Sequence, residues 1–327
     1  LEFLLAYHIG RISWFGSVLP NTFRVKSSSG HALYTGFEAV VEAVSVGAGE
    51  LMILAGLFSL LIIRRRTTVL MVAYALVFPI YLWWVGGDEM RFGRLIIAAW
   101  PLFAASGGMA VTFLAGEFRG RPVLRSTLLI LAAIIVSSGI VANIRDQIRL
   151  VPELASYRVR MDSSQRTLGR YLDKRLPDGA TVAYQDMGLC PWSAPDLRFI
   201  DLIGLVSKEV TDLRDKYGVR LSGEEAADRG AANTARNTFN RGVRDIVFGR
   251  PADAIVLQAV LPQDRAADIM AGFRGMDAGS VLQYCNTSYS VGLASDSRLM
   301  ESYHLDAIFP REPSTLYVVF VRNSVSD

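Results

Sequence analysis

Four long apolar stretches crowd the first half of this 327-residue chain, and they constrain its fold more than any other feature. They run over Phe37–Ile63, Thr68–Val85, Leu95–Ala115 and Val123–Ala142. Each is about 20 residues long, the length of helix that crosses a bilayer core. They predict a polytopic α-helical membrane bundle of about four full spans. The mean hydropathy of +0.29 agrees, because the apolar residues are segregated rather than alternating. The rest of the chain is mixed and charged, and long enough to bury a core of its own. The expected order is an outer-face loop or re-entrant segment at 1–36, the bundle at 37–142, a linker at 143–160 and an α/β or α+β domain at 161–327.

Charge sets the expected orientation. Arg64, Arg65 and Arg66 follow the first stretch, and Arg119, Arg121 and Arg125 lie between the third and fourth. The segment Gly86–Arg94 carries Asp88, Glu89, Arg91 and Arg94 and is balanced. The positive-inside rule places both arginine clusters in the cytoplasm. Segments Gly10–Gly36, Gly86–Arg94 and Asn143–Asp327 then lie on the outer face. A net charge of +3 is too small to argue for nucleic acid. The opening Leu1–Ile9 is too short to span and lacks a basic region or a small-residue cleavage site. It reads as the outer end of a helix that starts upstream, so this chain is expected to be the C-terminal part of a longer protein. A short interfacial segment at a true start is the alternative.

Two outward segments carry the chemistry. In Trp14–Lys26, Pro20 ends any helix at the residue before it, and Asn21 and Thr22 can cap the next turn. Trp14, Phe15 and Phe23 suit a lipid–water interface, while Arg24 and Lys26 fall where a phosphate headgroup would sit. The segment reads either as an interfacial anchor or as a re-entrant loop that grips a lipid phosphate. In Trp83–Arg94, Gly86 and Gly87 permit a tight turn, and four charges follow within a short loop. Charges so near hydrocarbon are costly unless paired, hydrated or in use. Arg94 opens the next helix, where a cation opposes the dipole, so an anion should compensate it: Asp88 or a ligand phosphate. Inside the first stretch, Glu38 and Glu42 share one helix face and Glu50 lies deeper. They line a cavity, or the span begins only after Glu50.

The C-terminal part alternates helix and strand signals. Helices are expected at Asp162–Leu176, Lys208–Tyr217 and Gln263–Arg274, and strands at Ala180–Gln185, Leu197–Leu202, Ala254–Val260 and Leu316–Val321. Gly218–Gly242 shows little apolar patterning and reads as a helix–loop excursion. Asp186, Asp201 and Trp192 sit at strand ends or in the Gly/Pro-bearing loop between them. They suit glycan binding; the alternative is buried capping carboxylates and a core tryptophan. Cys190 and Cys285 are the only cysteines, and spacing does not decide whether they pair. Catalytic Cys/His, Ser/His/Asp and zinc spacings are absent from the sequence.

The segments GSVLPNTFRVK and WVGGDEMRFGRLIIAAWPL, in this order and flanked by apolar stretches, resemble the C-terminal half of a bacterial family of polytopic GT-C-type glycosyltransferases. That family includes the mycobacterial terminal arabinofuranosyltransferase and relatives catalogued as flagellar motor control proteins. Gly16, Leu19, Pro20, Asn21, Thr22 and Lys26 match its first motif. Gly86, Gly87, Asp88, Met90, Gly93, Arg94, Leu95 and Pro101 match its second. Phe199–Leu205 and the preceding Asp186–Gly188 are similar to two further segments. Glu89 departs from the usual aromatic, and Trp14-Phe15 replaces the usual tyrosines. The resemblance implies a multi-pass protein of the bacterial cytoplasmic membrane. Such a protein moves a sugar, arabinofuranose among the candidates, from a polyprenyl-phosphate donor to a cell-envelope glycan on the outer face. The expected site places Arg94, Arg91, Lys26 and Arg24 on the donor phosphate, with Pro20, Asn21, Gly86 and Gly87 shaping the loops. Asp88 is auxiliary: it orients Arg94, binds sugar hydroxyls, or joins Glu89 on a divalent cation, which needs more oxygens than these two offer. The main catalytic base of such enzymes lies in an earlier outer loop, so this chain alone is expected to be inactive. A non-catalytic envelope protein of the same fold, supporting a flagellar motor, is the alternative.

Overall fold

The computed structural model describes residues 2–15, 30–45, 49–63, 65–85, 87, 96–217, 219, 229–264, 266–272, 275–287 and 290–325. The chain divides into two compact units, Ser27–Leu154 and Leu1–Lys26 with Ala155–Asp327. The opening segment is a helix, α1 (Glu2–Phe15), with Leu5, Tyr7, Ile9 and Ile12 exposed.

The first unit is helical. Among the described residues, two helices are long and apolar enough to cross a membrane: α4 (Arg66–Trp84), and the continuous rod that begins with α6 (Pro122–Met161). A third span requires counting α2 (Gly30–Ser45) and α3 (Gly49–Ile62) as one broken span, with a bend of 95° between them. The expectation of four full spans is therefore not met. In the first stretch the bend leaves Glu50 in the opening turn of α3, where its charge suits the helix dipole. Glu38, Glu42 and Glu50 are all exposed. In the third stretch a short 3-10 turn at Ile97–Ala99 precedes α5 (Trp100–Glu117). Among the described residues, α5 does not by itself qualify as a span by length and composition.

Small residues knit α3 to α5. A side chain at Gly56 would meet the Phe103 ring at 2.5 Å, and one at Gly107 would meet Ala55 Cβ at 2.8 Å. Such close approach is how helices associate where lipid removes the hydrophobic drive. Buried Ser59 and Ser106 turn their hydroxyls back onto the carbonyls of Gly56 and Phe103, so no loose donor enters the contact.

Helix α6 runs unbroken through residues 143–160, the expected linker, and none of its side chains is buried. It passes through a π-turn at Asp162–Arg166 into α7 (Thr167–Arg175).

The C-terminal part is an α/β domain around a mixed five-stranded sheet. Its strands are β1 (Thr181–Tyr184), β2 (Arg198–Asp201), β3 (Ala254–Val260), β4 (Tyr303–Glu312) and β5 (Thr315–Arg322), in the order β2-β1-β3-β5-β4. β1 pairs parallel to β2 and β3, and β5 pairs antiparallel to β3 and β4. Alternation along β3 and β5 divides the core. Ile255, Leu257, Val318 and Phe320 pack with α9 (Lys208–Tyr217) and α10 (Arg229–Gly249). Val256, Tyr317 and Val319 pack with α7 and α8 (Leu189–Trp192) on the other face. The connections explain the layers: β1 reaches β2 on one side, and β2 returns past β1 to reach β3. Crossovers of one hand running in opposite directions put their helices on opposite faces.

Residues 229–242, expected to be part of a helix–loop excursion, belong to the 21-residue α10, which buries Phe239, Val243 and Val247. Cys190 and Cys285 are free and lie in the two different core layers. Burial pushes both thiols up, Cys285 to about 12.

Candidate functional site

The donor-phosphate residues Arg24, Lys26, Arg91 and Arg94 lie outside the described residues, as do Asp88, Pro20, Asn21 and Gly86. The helix ends that flank them are described. Gly87 has φ 107°, and its N–H bonds the Leu82 carbonyl at 3.0 Å, closing the C-terminus of α4. Glycine adopts that backbone without the strain a side chain would bring. Gly36, in the first turns of α2, lies against the last turn of α4: a Cβ there would fall 2.0 Å from the Trp83 carbonyl oxygen. The start of the helix after the first motif thus abuts the end of the helix before the second.

A second polar cluster lies in the α/β domain. β1 and β3 pair only through Val182↔Ala254 and Ala183↔Ile255, then part. Beyond that point other groups satisfy the free edge of β3. Ser290 Oγ accepts from the Gln258 N–H at 2.9 Å, and the Tyr284 carbonyl accepts from the Val260 N–H at 2.9 Å. This is the topological switch point of the parallel strands, where open α/β sheets form a crevice at strand carboxyl ends. Gln185, just past β1, bridges the gap by donating to Gln258 Oε1.

Asp186 is the charge at this crevice. The Tyr317 hydroxyl donates to its Oδ2 at 2.5 Å, and Arg311 Nε lies 3.2 Å from the same oxygen. Gln165, on the π-turn, donates to the Tyr317 hydroxyl at 3.4 Å. Extra-residue turns of this kind recur where a helix must aim a side chain at a site. The Arg311 guanidinium also lies 5.7 Å from the Tyr317 ring centre. Burial, then the Asp186 charge, pushes the Tyr317 hydroxyl pKa up. Burial opposes the Arg311 charge, but Asp186, Tyr317 and Glu312 outweigh it and hold its pKa above the ordinary value. Tyr184 stacks edge-on to Tyr317 with ring centres 5.6 Å apart. Its fully buried hydroxyl meets no partner in hydrogen-bond geometry among the described residues, and burial raises its pKa well above normal. Gln185 Oε1 is likewise buried and unpartnered.

Of the three expected glycan-binding residues, the structure puts only Asp186 in this cluster. Asp201 is a capping carboxylate at the end of β2. It is fully buried and accepts from the Ile203 and Val206 N–H groups at 2.9 and 2.8 Å. Its turn requires Gly204 at φ 89°. Burial raises the Asp201 pKa, and the backbone donors of Val206, Ile203, Gly204 and Leu205 pull it back. Trp192 is not a core residue: it is 81% exposed, at the end of α8 in the same connection that carries Asp186. Sequence reasoning missed Gln165, Gln185, Gln258, Arg311 and Tyr317. Gln258 was the available signal, a lone amide inside an otherwise apolar strand. Among the described residues no group of three or more His, Cys, Asp or Glu side chains could hold a metal ion.

Residues 146–317 match a family described as a domain of unknown function (DUF8728). The chain belongs to that family. The DUF8728 match takes in the whole polar cluster, from Gln165 to Tyr317. No curated protein and no solved structure matches the chain.

Proposed function

We propose that this chain is the C-terminal portion of a membrane glycosyltransferase of the GT-C type. It would pass a sugar, with arabinofuranose a candidate, from a polyprenyl-phosphate donor to a cell-envelope glycan at the outer face of a bacterial cytoplasmic membrane. One observation carries the reading: the contact of Gly36 with Trp83. Lys26 precedes Gly36 by 10 residues, and Gly86 follows Trp83 by three. Sequence spacing alone joins the two expected phosphate-binding segments to this contact, and that they share one ligand is part of the proposal.

The chemistry asks for such a pairing. The acceptor hydroxyl oxygen bonds the anomeric carbon while the bond from that carbon to the phosphate oxygen breaks. A carboxylate takes the hydroxyl proton, and the electron pair leaves on the phosphate. Arg94, Arg91, Lys26 and Arg24 supply cations for that developing charge, and arginine offers a bidentate fork. Asp88 orients Arg94.

The test uses membranes carrying the full-length protein, a panel of polyprenyl-phosphate sugars and envelope-glycan acceptors. Asp88→Ala and Arg94→Ala should each lower transfer by about 10²-fold or more at normal expression. Transfer that survives both changes would remove the donor site from this loop. No transfer from any donor would favour a non-catalytic envelope role.

A further inference from the structure

We propose that the end of the helical unit where α3 and α5 finish is a binding surface for anionic phospholipid. Arg65, Arg66, Arg119, Arg121 and Arg125 hold the headgroup phosphates, and Leu61, Leu70 and Val123 meet the adjoining acyl chains. The proposal rests on the helical unit alone and not on the function proposed above.

In sequence, α4 and α5 separate the two arginine clusters, and packing brings them to one end. A side chain at Gly49 would meet the Trp100 ring at 2.6 Å, and one at Gly56 would meet the Phe103 ring at 2.5 Å. The contacts advance together along both helices, so α3 and α5 run in the same direction. From the contact of Ala55 with Gly107, α3 has about 10 Å still to rise and α5 about 15 Å. Their C-termini therefore finish within about 5 Å of one level, no more than the depth of one headgroup layer. Arg64, Arg65 and Arg66 follow the first, and Arg119, Arg121 and Arg125 follow the second. Helix α4 starts at this end and runs 19 residues away from it. The Gly86–Arg94 segment follows its far end in sequence, so the two sets of arginines are separate.

Charge at this end is one-sided. Residues 62–68 and 117–125 hold six arginines and a single carboxylate, Glu117. Arg65, Arg66, Arg119, Arg121 and Arg125 are all exposed, and among the described residues none is held in an ion pair. Arg65 is also the N-cap of α4, which no side chain caps, so the first N–H groups of that helix add partial positive charge.

The neighbours of these arginines select the partner. Leu61 is 75% exposed, Leu70 68% and Val123 79%, and each lies within four residues of an arginine of the cluster. A free phosphate or a nucleic-acid backbone leaves that apolar surface uncovered, and a purely apolar partner leaves the guanidinium groups unmet. An anionic phospholipid supplies both phosphate oxygens for arginine forks and acyl chains beneath them. The net positive charge favours a headgroup without a cation of its own.

The experiment titrates the purified full chain, in uncharged detergent micelles, with fluorescent phosphatidylglycerol and separately with fluorescent phosphatidylcholine, read by anisotropy. Phosphatidylglycerol should bind at least ~10-fold tighter, and the ratio should shrink toward one as salt rises from about 50 mM to about 500 mM. That salt dependence is read on the unaltered chain, so it stands even where a variant fails to fold. Arg65→Gln with Arg66→Gln should lower the ratio at least ~5-fold, as should Arg119→Gln with Arg121→Gln and Arg125→Gln. Lysine at the same positions should keep most of it, and Arg145→Gln with Arg149→Gln, elsewhere on α6, should leave it within about twofold. A ratio near one in the unaltered chain, or one indifferent to salt, would overturn the proposal. So would a fall from only one of the two clusters, an equal fall in the Arg145 and Arg149 control, or displacement of phosphatidylglycerol by about 1 mM inorganic phosphate.

Discussion

The two halves of this chain treat their apolar residues in opposite ways. In α4, Thr68, Val72, Ala75, Pro79 and Leu82 face inward, yet Leu70, Tyr74, Val77 and Ile80 are each more than half exposed. In the α/β domain the apolar side chains of β3 and β5 are sealed between helical layers. One sequence thus answers to two solvents. A helix that is apolar all round suits lipid, whereas a one-sided or layered pattern suits water. The contrast also gives Trp192 its meaning: a large exposed aromatic is ordinary in the first half and an anomaly in the second.

Single substitutions can sharpen or break this contrast. The largest effect is expected at Phe320, fully buried at the centre of β5. Phe320→Ala should cost about 3–5 kcal/mol, read as a lower melting transition of the α/β domain. A change below about 1 kcal/mol would mean that the core is not closed there. Next is Val77→Arg, midway along α4 and 54% exposed. If lipid surrounds that face, arginine costs about 2.5–3.5 kcal/mol and the membrane-inserted fraction falls. Unaltered insertion would put Val77 against water. The same substitution at Val206, 60% exposed in the α/β domain, should change stability by no more than about 0.5 kcal/mol.

A smaller effect belongs to Asp201. Folding raises its pKa, so the native state holds the proton more tightly than the unfolded chain does. The stability this lends is complete below the unfolded carboxyl value of about 3.9, and is lost as pH rises through the raised value. Asp201→Asn, neutral throughout, should flatten the limb of the melting-temperature profile that falls as pH rises above the unfolded carboxyl value of about 3.9. An unchanged profile would show that the backbone donors fully compensate its burial.

The α/β domain was the more legible half. The strand expected at Ala254–Val260 is reproduced residue for residue, because a short apolar run needs only a sheet to bury it. Residues 229–242 were obscure, because α10 anchors itself through a few residues, Phe239, Val243 and Val247, set among Asn, Arg and Gly. β4 escaped notice because, at the sheet edge, it pairs on one side only and alternates weakly. In the bundle, length and hydropathy located the stretches but not the 95° break in the first. At the candidate site, Asp186 could be read because it follows a strand. Arg311 and Tyr317 could not, because only the sheet order brings residues so distant in sequence to the same crevice.

Lipid-linked transfer at an outer face needs the Gly86–Arg94 segment and the α/β domain on the same side of the membrane. Labelling intact cells with a membrane-impermeant thiol reagent tests this most directly. The two native cysteines are buried, with raised thiol pKa values, so background should be low. Glu89→Cys and Ser324→Cys should label from outside, and Gly120→Cys should label only after the membrane is opened. Labelling of Gly120→Cys in intact cells, or of only one of the other two, would contradict an outer-face enzyme.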